Sequence, residues 1–391
     1  MIEIVSEMYF KNGGNGMELK DMIQGIPAKV IYAHLLQYIK GQDVAMKQLA
    51  TAISAHTFQI AYNLRHTEHH FKTLNILLRG GTGSGKTEAF RALCHFKKLP
   101  IPIVVVNSGS FSPNGWKGDK TIEQMLLVLR AEAERILDAY IEEKKITLSS
   151  DEKTELITAL TEIGIICIDE FDKKRIYISG MSPDAHNADY QYNLLTMVEG
   201  MKSYLYIDNG CGTETIDTSQ IMFILMGAFA GLEECAVELQ SKTTKIGFSM
   251  ATTAHDSTDM QQYSDDVLIQ YGIIRELVGR LPVHITYQPV TLEALITILR
   301  SAKSSVLQEY KQLFRYLGNK LVVDEEALRE IAEQALALGV GARGLQRVLQ
   351  SHLQPILFDA TNAKGQCYYV TKGYLSGKTE AASSIIKSKL A

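Results

Sequence analysis

The fold is decided by one stretch, Gly80-Gly81-Thr82-Gly83-Ser84-Gly85-Lys86-Thr87. It follows an apolar run at residues 74–78 and leads through Glu88 into a helical pattern, so the predicted order is strand, glycine-rich loop and helix. The glycines allow the backbone to turn tightly and to point successive N–H groups at phosphate oxygens near a helix N-terminus. In this pattern we expect Lys86 to reach the β and γ phosphates and the Thr87 hydroxyl to hold Mg²⁺.

The composition is that of an ordinary globular chain. Its 391 residues exceed the usual size of a single core, so two domains are expected. With 46% hydrophobic and 21% charged residues, wholesale disorder is not expected. The net charge of -4 argues against a dedicated nucleic-acid binder.

The spacing of the cysteines and the length of the apolar runs indicate the cellular compartment. The five cysteines include no C-x-x-C pair, which favours a reducing compartment over a disulfide framework or a zinc site. The longest apolar stretch, residues 221–232, is too short to span a bilayer, and the chain does not open with a secretory signal pattern. We therefore expect a cytoplasmic protein that does not associate with membranes.

A second stretch supplies carboxylates. Residues 163–170 read Ile-Gly-Ile-Ile-Cys-Ile-Asp-Glu, an apolar strand that ends in two acids. A strand buried on both faces tolerates acids only at its end, where they can face a ligand. Together with the phosphate-binding loop, the order predicts that Asp169 holds Mg²⁺ through water and that Glu170 polarises the attacking water.

Strands and helices alternate along most of the chain, which predicts an α/β domain with a parallel sheet flanked by helices. From Thr291 onward the pattern is helical, with Thr291 as an N-cap, and this predicts a smaller, mainly helical C-terminal domain. The residues alone support a Mg²⁺-dependent nucleoside triphosphatase, and they go no further.

The order of the motifs and their amino-acid sequences resemble those of the AAA+ family, and within it those of the ClpX-like (Clp/HslU) protein unfoldases, over residues 38–350. Residues 38–43 resemble the segment that packs on adenine, which implies that Ile39 contacts nucleotide. Residues 80–87 are similar to the Walker A loop and residues 168–173 to the Walker B region. The resemblance implies ATP as the nucleotide, with Mg²⁺, and the following loop ligands: Gly81, Thr82, Gly83, Ser84, Gly85, Lys86, Thr87 and Glu88.

Three further motifs carry the resemblance. Residues 227–232 resemble the end of the sensor-1 strand, although Met226 stands where the family has glycine. Residues 277–283 look like the box with the arginine finger, which implies that Arg280 reaches the γ-phosphate bound by a neighbouring subunit. Residues 341–345 are similar to sensor 2, which implies that Arg343 contacts the nucleotide from the small domain. A finger that acts on a neighbour implies a homo-hexameric ring.

The resemblance also implies polypeptide handling. Trp116 and Lys117 fall in a Gly-x-x-Gly tip where these unfoldases carry the pore loop that grips a translocating chain, although Lys117 replaces an apolar residue. The tripeptide Ile246-Gly247-Phe248 matches the one with which ClpX-like rings dock on the ClpP peptidase. We expect no N-terminal zinc-binding domain of the family's four-cysteine kind, so the resemblance is to a divergent member.

The resulting hypothesis is an ATP-dependent unfoldase that threads polypeptide through a pore and delivers it to a ClpP-type peptidase. Its expected parts are an N-terminal extension (1–37), an AAA+ large domain (38–290), a small sensor-2 domain (291–368) and a polar tail (369–391). Two alternatives stay open: a remodeller of a specific complex without a peptidase, or a nucleic-acid motor of the same superfamily, and a nucleotide-gated binding module. Glu170 and Arg280 argue against the module, since a switch needs neither.

Overall fold

The structure is a computed structural model that describes residues 18–66, 70–112, 120–177, 183–206, 213–244, 264–377 and 382–385. The predicted pore-loop residues Trp116 and Lys117 and the tripeptide Ile246-Gly247-Phe248 lie outside these ranges. The strands within them are β1 (Ile76–Arg79), β2 (Ile103–Asn107), β3 (Phe111–Ser112), β4 (Lys120–Thr121), β5 (Ile165–Asp169), β6 (Lys202–Tyr206), β7 (Thr213–Asp217), β8 (Met222–Gly227), β9 (Val283–Thr286), β10 (Lys320–Val323), β11 (Gln366–Val370) and β12 (Ala382–Ile385).

Helices connect the strands, and those of the described ranges are α1 (Leu19–Met22), α2 (Ala28–Leu35), α3 (Asp43–Asn63), α4 (Lys86–Cys94), α5 (Met125–Lys144), α6 (Ser150–Thr161), α7 (Ala185–Glu199), α8 (Leu232–Thr244), α9 (Asp265–Tyr271), α10 (Arg275–Val278), α11 (Leu292–Ser301), α12 (Val306–Tyr316), α13 (Glu325–Ala337), α14 (Arg343–Asn362) and α15 (Lys372–Leu375). Among the described residues, none of these helices has the length and apolar character needed to cross a bilayer.

Five parallel strands form the central sheet in the order β2-β5-β8-β1-β9, which confirms the predicted parallel sheet. The inner strands are apolar along their length because helices cover both faces of such a sheet. β8, for example, is buried at every position, Met226 included. The register aligns the strand ends, with Asn107 beside Asp169 and Arg79 between Gly227 and Thr286.

The strand before the phosphate loop begins later in the sequence than its apolar pattern predicts. The predicted run starts at Leu74, but β1 starts at Ile76. Leu74 is exposed, whereas the polar Asn75 is buried, so the side chain of Asn75 needs hydrogen-bond partners inside the protein. Those partners are described with the site below.

The chain divides into two compact units. The first draws on the described residues within Met1–Ile31, Lys47–Arg79 and Phe90–Thr286, and the second on those within Tyr32–Met46, Gly80–Ala89 and Tyr287–Ala391. The first unit is built on the central sheet, with a core of side chains such as Ile166, Ile168, Phe223 and Leu225. The second has its own core, which includes Leu299, Phe314, Ile331 and Leu349. The predicted domains, 38–290 and 291–368, are continuous segments of the chain. The observed division instead places residues 80–89, which belong to the predicted large domain, with the second unit.

A small sheet accompanies the helices of the second unit. Its order is β10-β11-β12, with β10 and β11 parallel and β11 and β12 antiparallel. The predicted boundary between the small domain and the polar tail, at residue 368, falls inside β11. Only Cys367, Tyr368 and Val370 of this strand are buried, so its short pattern is masked by polar neighbours in the sequence.

Candidate nucleotide-binding site

The phosphate-binding loop connects β1 to α4. Gly83 and Gly85 have φ angles of +73° and +99°, in the left-handed region that glycine adopts most readily. Lys86 begins α4, and its Nζ donates to the carbonyl oxygens of Gly80 and, at 3.0 Å, of Gly81. The lysine therefore lies folded over its own loop, largely buried, with its ammonium group on carbonyls that phosphate oxygens could replace.

The segment predicted to pack on adenine lies against this loop. The side chain of Ile39 is buried, and its Cδ1 would be 3.3 Å from a Cβ at Gly85. Gln42 fixes the segment because its side-chain amide exchanges two hydrogen bonds, both 2.8 Å, with the backbone of Gln288. The structure therefore brings Ile39 to the phosphate loop, where an apolar side chain can contact a base.

The sensor-2 turn meets the same loop through backbone groups. Ala342 N donates to Gly83 O at 3.0 Å. A Cβ on Gly83 would lie 2.3 Å from Val340 O, and a Cβ on Gly341 would lie 2.6 Å from Thr82 O, so neither position has room for a side chain. Arg343 follows directly as the first residue of α14, and its side chain is exposed. The second unit thus gathers Ile39, the loop and Arg343.

The remaining loop groups fit a nucleotide with Mg²⁺. Ser84 Oγ is buried and has no hydrogen-bond partner among the described residues, so this hydroxyl is available to form a hydrogen bond with an oxygen of a ligand. Thr87 and Glu88 stand in the first turn of α4. Among the described residues, no cluster of three or more His, Cys, Asp or Glu could hold a metal by itself. This donor set fits Mg²⁺, which usually binds one or two protein oxygens together with water and phosphate.

The predicted carboxylates stand at the carboxyl end of β5 in the first unit. Asp169 is the last residue of the strand, and Glu170 follows with a left-handed φ of +59°. Hydrogen bonds hold this backbone: Glu170 N donates to Asp169 Oδ1 (2.9 Å), and Ser108 Oγ and Lys173 N donate to Glu170 O (2.8 and 3.1 Å). Such a conformation is uncommon for a non-glycine residue and is often found at functional sites.

Two residues that the sequence reasoning missed hold the Glu170 carboxylate. Asn107 Nδ2 and Lys173 Nζ both donate to Glu170 Oε2, at 3.0 and 2.6 Å. The hydrogen bond to the Glu170 carboxylate raises the pKa of Lys173 and is the largest contribution to this shift. Asn107 is the last residue of β2 and lies beside Asp169, so the signal available in the sequence was a polar residue at the end of an apolar strand.

Asp172 supports the end of β8. Its Oδ2 accepts a hydrogen bond from Phe229 N at 3.3 Å, and its Oδ1 would lie 2.4 Å from a Cβ at Gly227. Phe229 is buried and has a φ of +51°. The Walker B region and the sensor-1 turn are therefore packed together within the first unit, and Met226 before the turn is a core residue.

Arg280 stands at the other end of the central sheet. It lies three residues before β9, which runs parallel to β1, so it belongs to the amino end of the strands. Its Nε and Nη2 donate to Glu199 Oε1 at 3.0 and 2.8 Å, and its carbonyl accepts from Asn75 Nδ2 at 3.3 Å. The structure therefore does not bring Arg280 together with Asp169 and Glu170 of its own chain.

Comparisons with known proteins agree with these motifs. The family model described as AAA domain (Cdc48 subfamily) matches residues 72–284, and the model for the C-terminal, D2-small domain of ClpB protein matches residues 291–366. Over 371 residues the chain is 30% identical to the ATP-dependent Clp protease ATP-binding subunit ClpX 2 of Wolinella succinogenes, with 93% of this chain and 85% of the relative covered. It is 28% identical over 363 residues to the ATP-dependent Clp protease ATP-binding subunit ClpX of Treponema denticola, covering 90% and 81%.

Proposed function

The chain belongs to the ClpX-like AAA+ ATPases, and from that premise we propose that it is a ring-forming protein unfoldase that threads polypeptide clients through a central pore. ATPase activity follows from the family itself. The ring, taken as a homo-hexamer, the pore and the clients are the proposed part. Trp116 and Lys117 are the residues proposed to grip the client.

The observation that carries the proposal is the separation of Arg280 from Asp169 and Glu170. Asp169 ends its strand, whereas Arg280 O is bonded to Asn75, which precedes the first residue of β1. The inner strands have four to six residues, so at roughly 3.3 Å per residue about 13 to 20 Å of strand separates the two ends of the sheet. An arginine at the end opposite the carboxylates of its own chain supports action at the site of a neighbouring copy, and head-to-tail contacts of this kind form rings when the rotation between copies closes.

Each site residue has a proposed task in hydrolysis. Mg²⁺ would be held by Thr87 and Asp169, and when bound it would neutralise charge that develops on the phosphates. Lys86 would exchange its loop carbonyls for phosphate oxygens, with Arg343 as a further cation. Glu170 would orient the attacking water and take its proton, and Arg280 of the neighbouring subunit would stabilise the transferring phosphoryl group.

Delivery to a peptidase is a separate part of the proposal. Both relatives are named as ATP-binding subunits of an ATP-dependent Clp protease, which supports a ClpP-type partner docked through Ile246, Gly247 and Phe248. Replacing these three residues should abolish peptidase-coupled degradation and leave ATP hydrolysis intact. If client remodelling proceeds equally with and without the peptidase and the tripeptide, the peptidase-independent remodeller is the better description. A cytoplasmic location stays a prediction.

The ring is tested by the concentration dependence of hydrolysis. The ATPase rate per protomer should rise with protein concentration in step with the hexamer fraction measured by sedimentation, because each site needs its neighbour's arginine. A rate per protomer that is the same for dilute monomers and for assembled rings would contradict the proposal. The Glu170→Gln variant, locked with ATP, should retain clients that wild-type protein releases, and it is the means to identify them.

A further inference from the structure

Asn75 is a buried asparagine whose side-chain amide forms hydrogen bonds to segments on both sides of β1. It is only 6% exposed and stands directly before the strand. Its Oδ1 accepts from Phe223 N at 2.9 Å, and its Nδ2 donates to Arg280 O at 3.3 Å. β1 pairs with β8 on one side and with β9 on the other, and the amide contacts Phe223, one residue before the first residue of β8 that pairs with β1, and Arg280, three residues before β9.

Arg280 is held in two places that differ in strength. Its guanidinium group bonds a single oxygen of Glu199, and both side chains are about half exposed. An exposed ion pair of this kind contributes little and can be exchanged for another anion. The backbone bond from Asn75 is partly buried and involves no charge, so it can persist when the guanidinium group changes partner.

We propose that Asn75 is a positioning residue for the arginine finger: its amide fixes the Arg280 backbone to β8, and this sets where the guanidinium group can reach. The inference rests on the proposed function, since it gives Arg280 a role at the neighbouring site. Both polar atoms of the Asn75 amide bond to backbone atoms, so its proposed effect on hydrolysis passes through Arg280. Because catalytic groups lose roughly 100-fold in rate when misplaced by about 1 Å, a small backbone shift at Arg280 is sufficient to slow hydrolysis.

The test is Asn75→Ala, which removes both hydrogen bonds. We expect kcat of the assembled ring to fall by about tenfold or more, with KM for ATP within about twofold of wild type, because the finger acts in the transition state. Asn319→Ala is the matched control. Asn319 is also a buried amide that bridges backbone groups, donating to Ala360 O and Ala363 O and accepting from Gln366 N, but it lies in the second unit. We expect kcat of its ring to stay within about twofold of wild type.

Mixed rings separate a finger defect from a general structural defect. Asn75→Ala subunits keep their own Glu170, so when they are co-assembled with Glu170→Gln subunits they can receive an intact finger from the neighbour. Activity should therefore appear in the mixture, with a maximum near equal proportions, although each variant alone is slow. Arg280→Ala mixed with Glu170→Gln is the reference for this rescue.

The outcomes are distinct. Unchanged kcat in Asn75→Ala, or a slow Asn75→Ala that Glu170→Gln subunits do not rescue while they rescue Arg280→Ala, overturns the role of Asn75 alone. No rescue of Arg280→Ala overturns the shared site and the Asn75 proposal with it. If Asn75→Ala does not form rings, Asn75→Asp, which keeps the acceptor for Phe223 N, replaces it. Failure of both to assemble shows that Asn75 supports the fold and not the finger, and also overturns the proposal.

Discussion

The two ends of the central sheet carry polar groups with different surroundings. At the carboxyl end Asn107, Asp169 and Glu170 are at least partly accessible, and the carboxylate of Glu170 is about 44% exposed. At the amino end His56 and Asn75 are buried, with His56 Nε2 and the amide of Asn75 bonded to backbone, while the side chains of Arg280 and Glu199 are paired and about half exposed. The difference suggests that one end is arranged for chemistry and the other for presenting one cation.

The ends also differ in backbone strain. Glu170 has a left-handed backbone, a conformation that costs about 1–3 kcal/mol for a non-glycine residue and persists only when its surroundings hold it. Ser108 and Asp169 supply those bonds. Arg280 instead follows the short helix α10, whose turn continues through a hydrogen bond from Arg280 N to Leu277 O. The fixed backbone of Glu170 suits its proposed role as general base, and the hydrogen-bonded turn at Arg280 suits its proposed role as arginine finger.

The largest effect is expected at the amino end. Arg280→Ala should reduce kcat for ATP by about 10³- to 10⁵-fold, the range typical of arginine fingers. Nucleotide binding, measured with a fluorescent ATP analogue, should be unchanged because the finger is proposed to act on the neighbour's nucleotide in the transition state. A normal kcat in Arg280→Ala rings would remove the distinction between the two ends. Arg275→Ala, another exposed arginine of the same segment, serves as the control.

The next largest effect is expected at the carboxyl end. Glu170→Gln should lower kcat by about 10²- to 10⁴-fold, because it removes a general base while keeping the shape of the side chain. ATP affinity and ring assembly should be preserved, so the variant should accumulate ATP-bound rings by sedimentation with bound nucleotide. Weak ATP binding by this variant would indicate that Glu170 is needed for the site's structure.

A smaller effect is expected from Asn107. Asn107→Ala removes a hydrogen bond of 3.0 Å to the Glu170 carboxylate, and a bond to a charged group contributes about 1.5 kcal/mol or more, close to tenfold in rate. We expect kcat to change by about that factor and the pH dependence of kcat to shift, since the carboxylate loses a donor. Identical pH–rate profiles for variant and wild type would show that Asn107 does not act on Glu170.

The last expected effect concerns stability at the amino end and not the rate of hydrolysis. Burial lowers the pKa of His56 from 6.5 to about 4, and its Nε2 contacts Ile163 O at 3.2 Å. Between pH 6.5 and 4 the unfolded chain takes up a proton that the folded chain refuses, so the free energy of unfolding falls as the pH falls through this window. The urea midpoint should therefore depend less on pH in His56→Leu than in wild type. Parallel profiles would show that His56 titrates normally.

Much of the site could be predicted because its motifs are local. The phosphate loop, Asp169 and the parallel sheet follow from runs of neighbouring residues, and Ile39 was found through the family resemblance. Asn75, Asn107 and Lys173 were missed because their partners are set by the strand order and by the left-handed turn at Glu170. β11 was partly assigned to a tail because a five-residue strand among polar neighbours has no long periodic pattern.

The central claim is that the two ends of the sheet act in different subunits, and mixing two inactive variants tests it most directly. Arg280→Ala subunits contain an intact Glu170, and Glu170→Gln subunits contain an intact Arg280. Co-assembled rings should regain ATPase activity that neither variant has alone, with a maximum near equal proportions. If mixed rings form but stay as inactive as the separate variants at every ratio, Arg280 does not complete a neighbour's site and the account is contradicted.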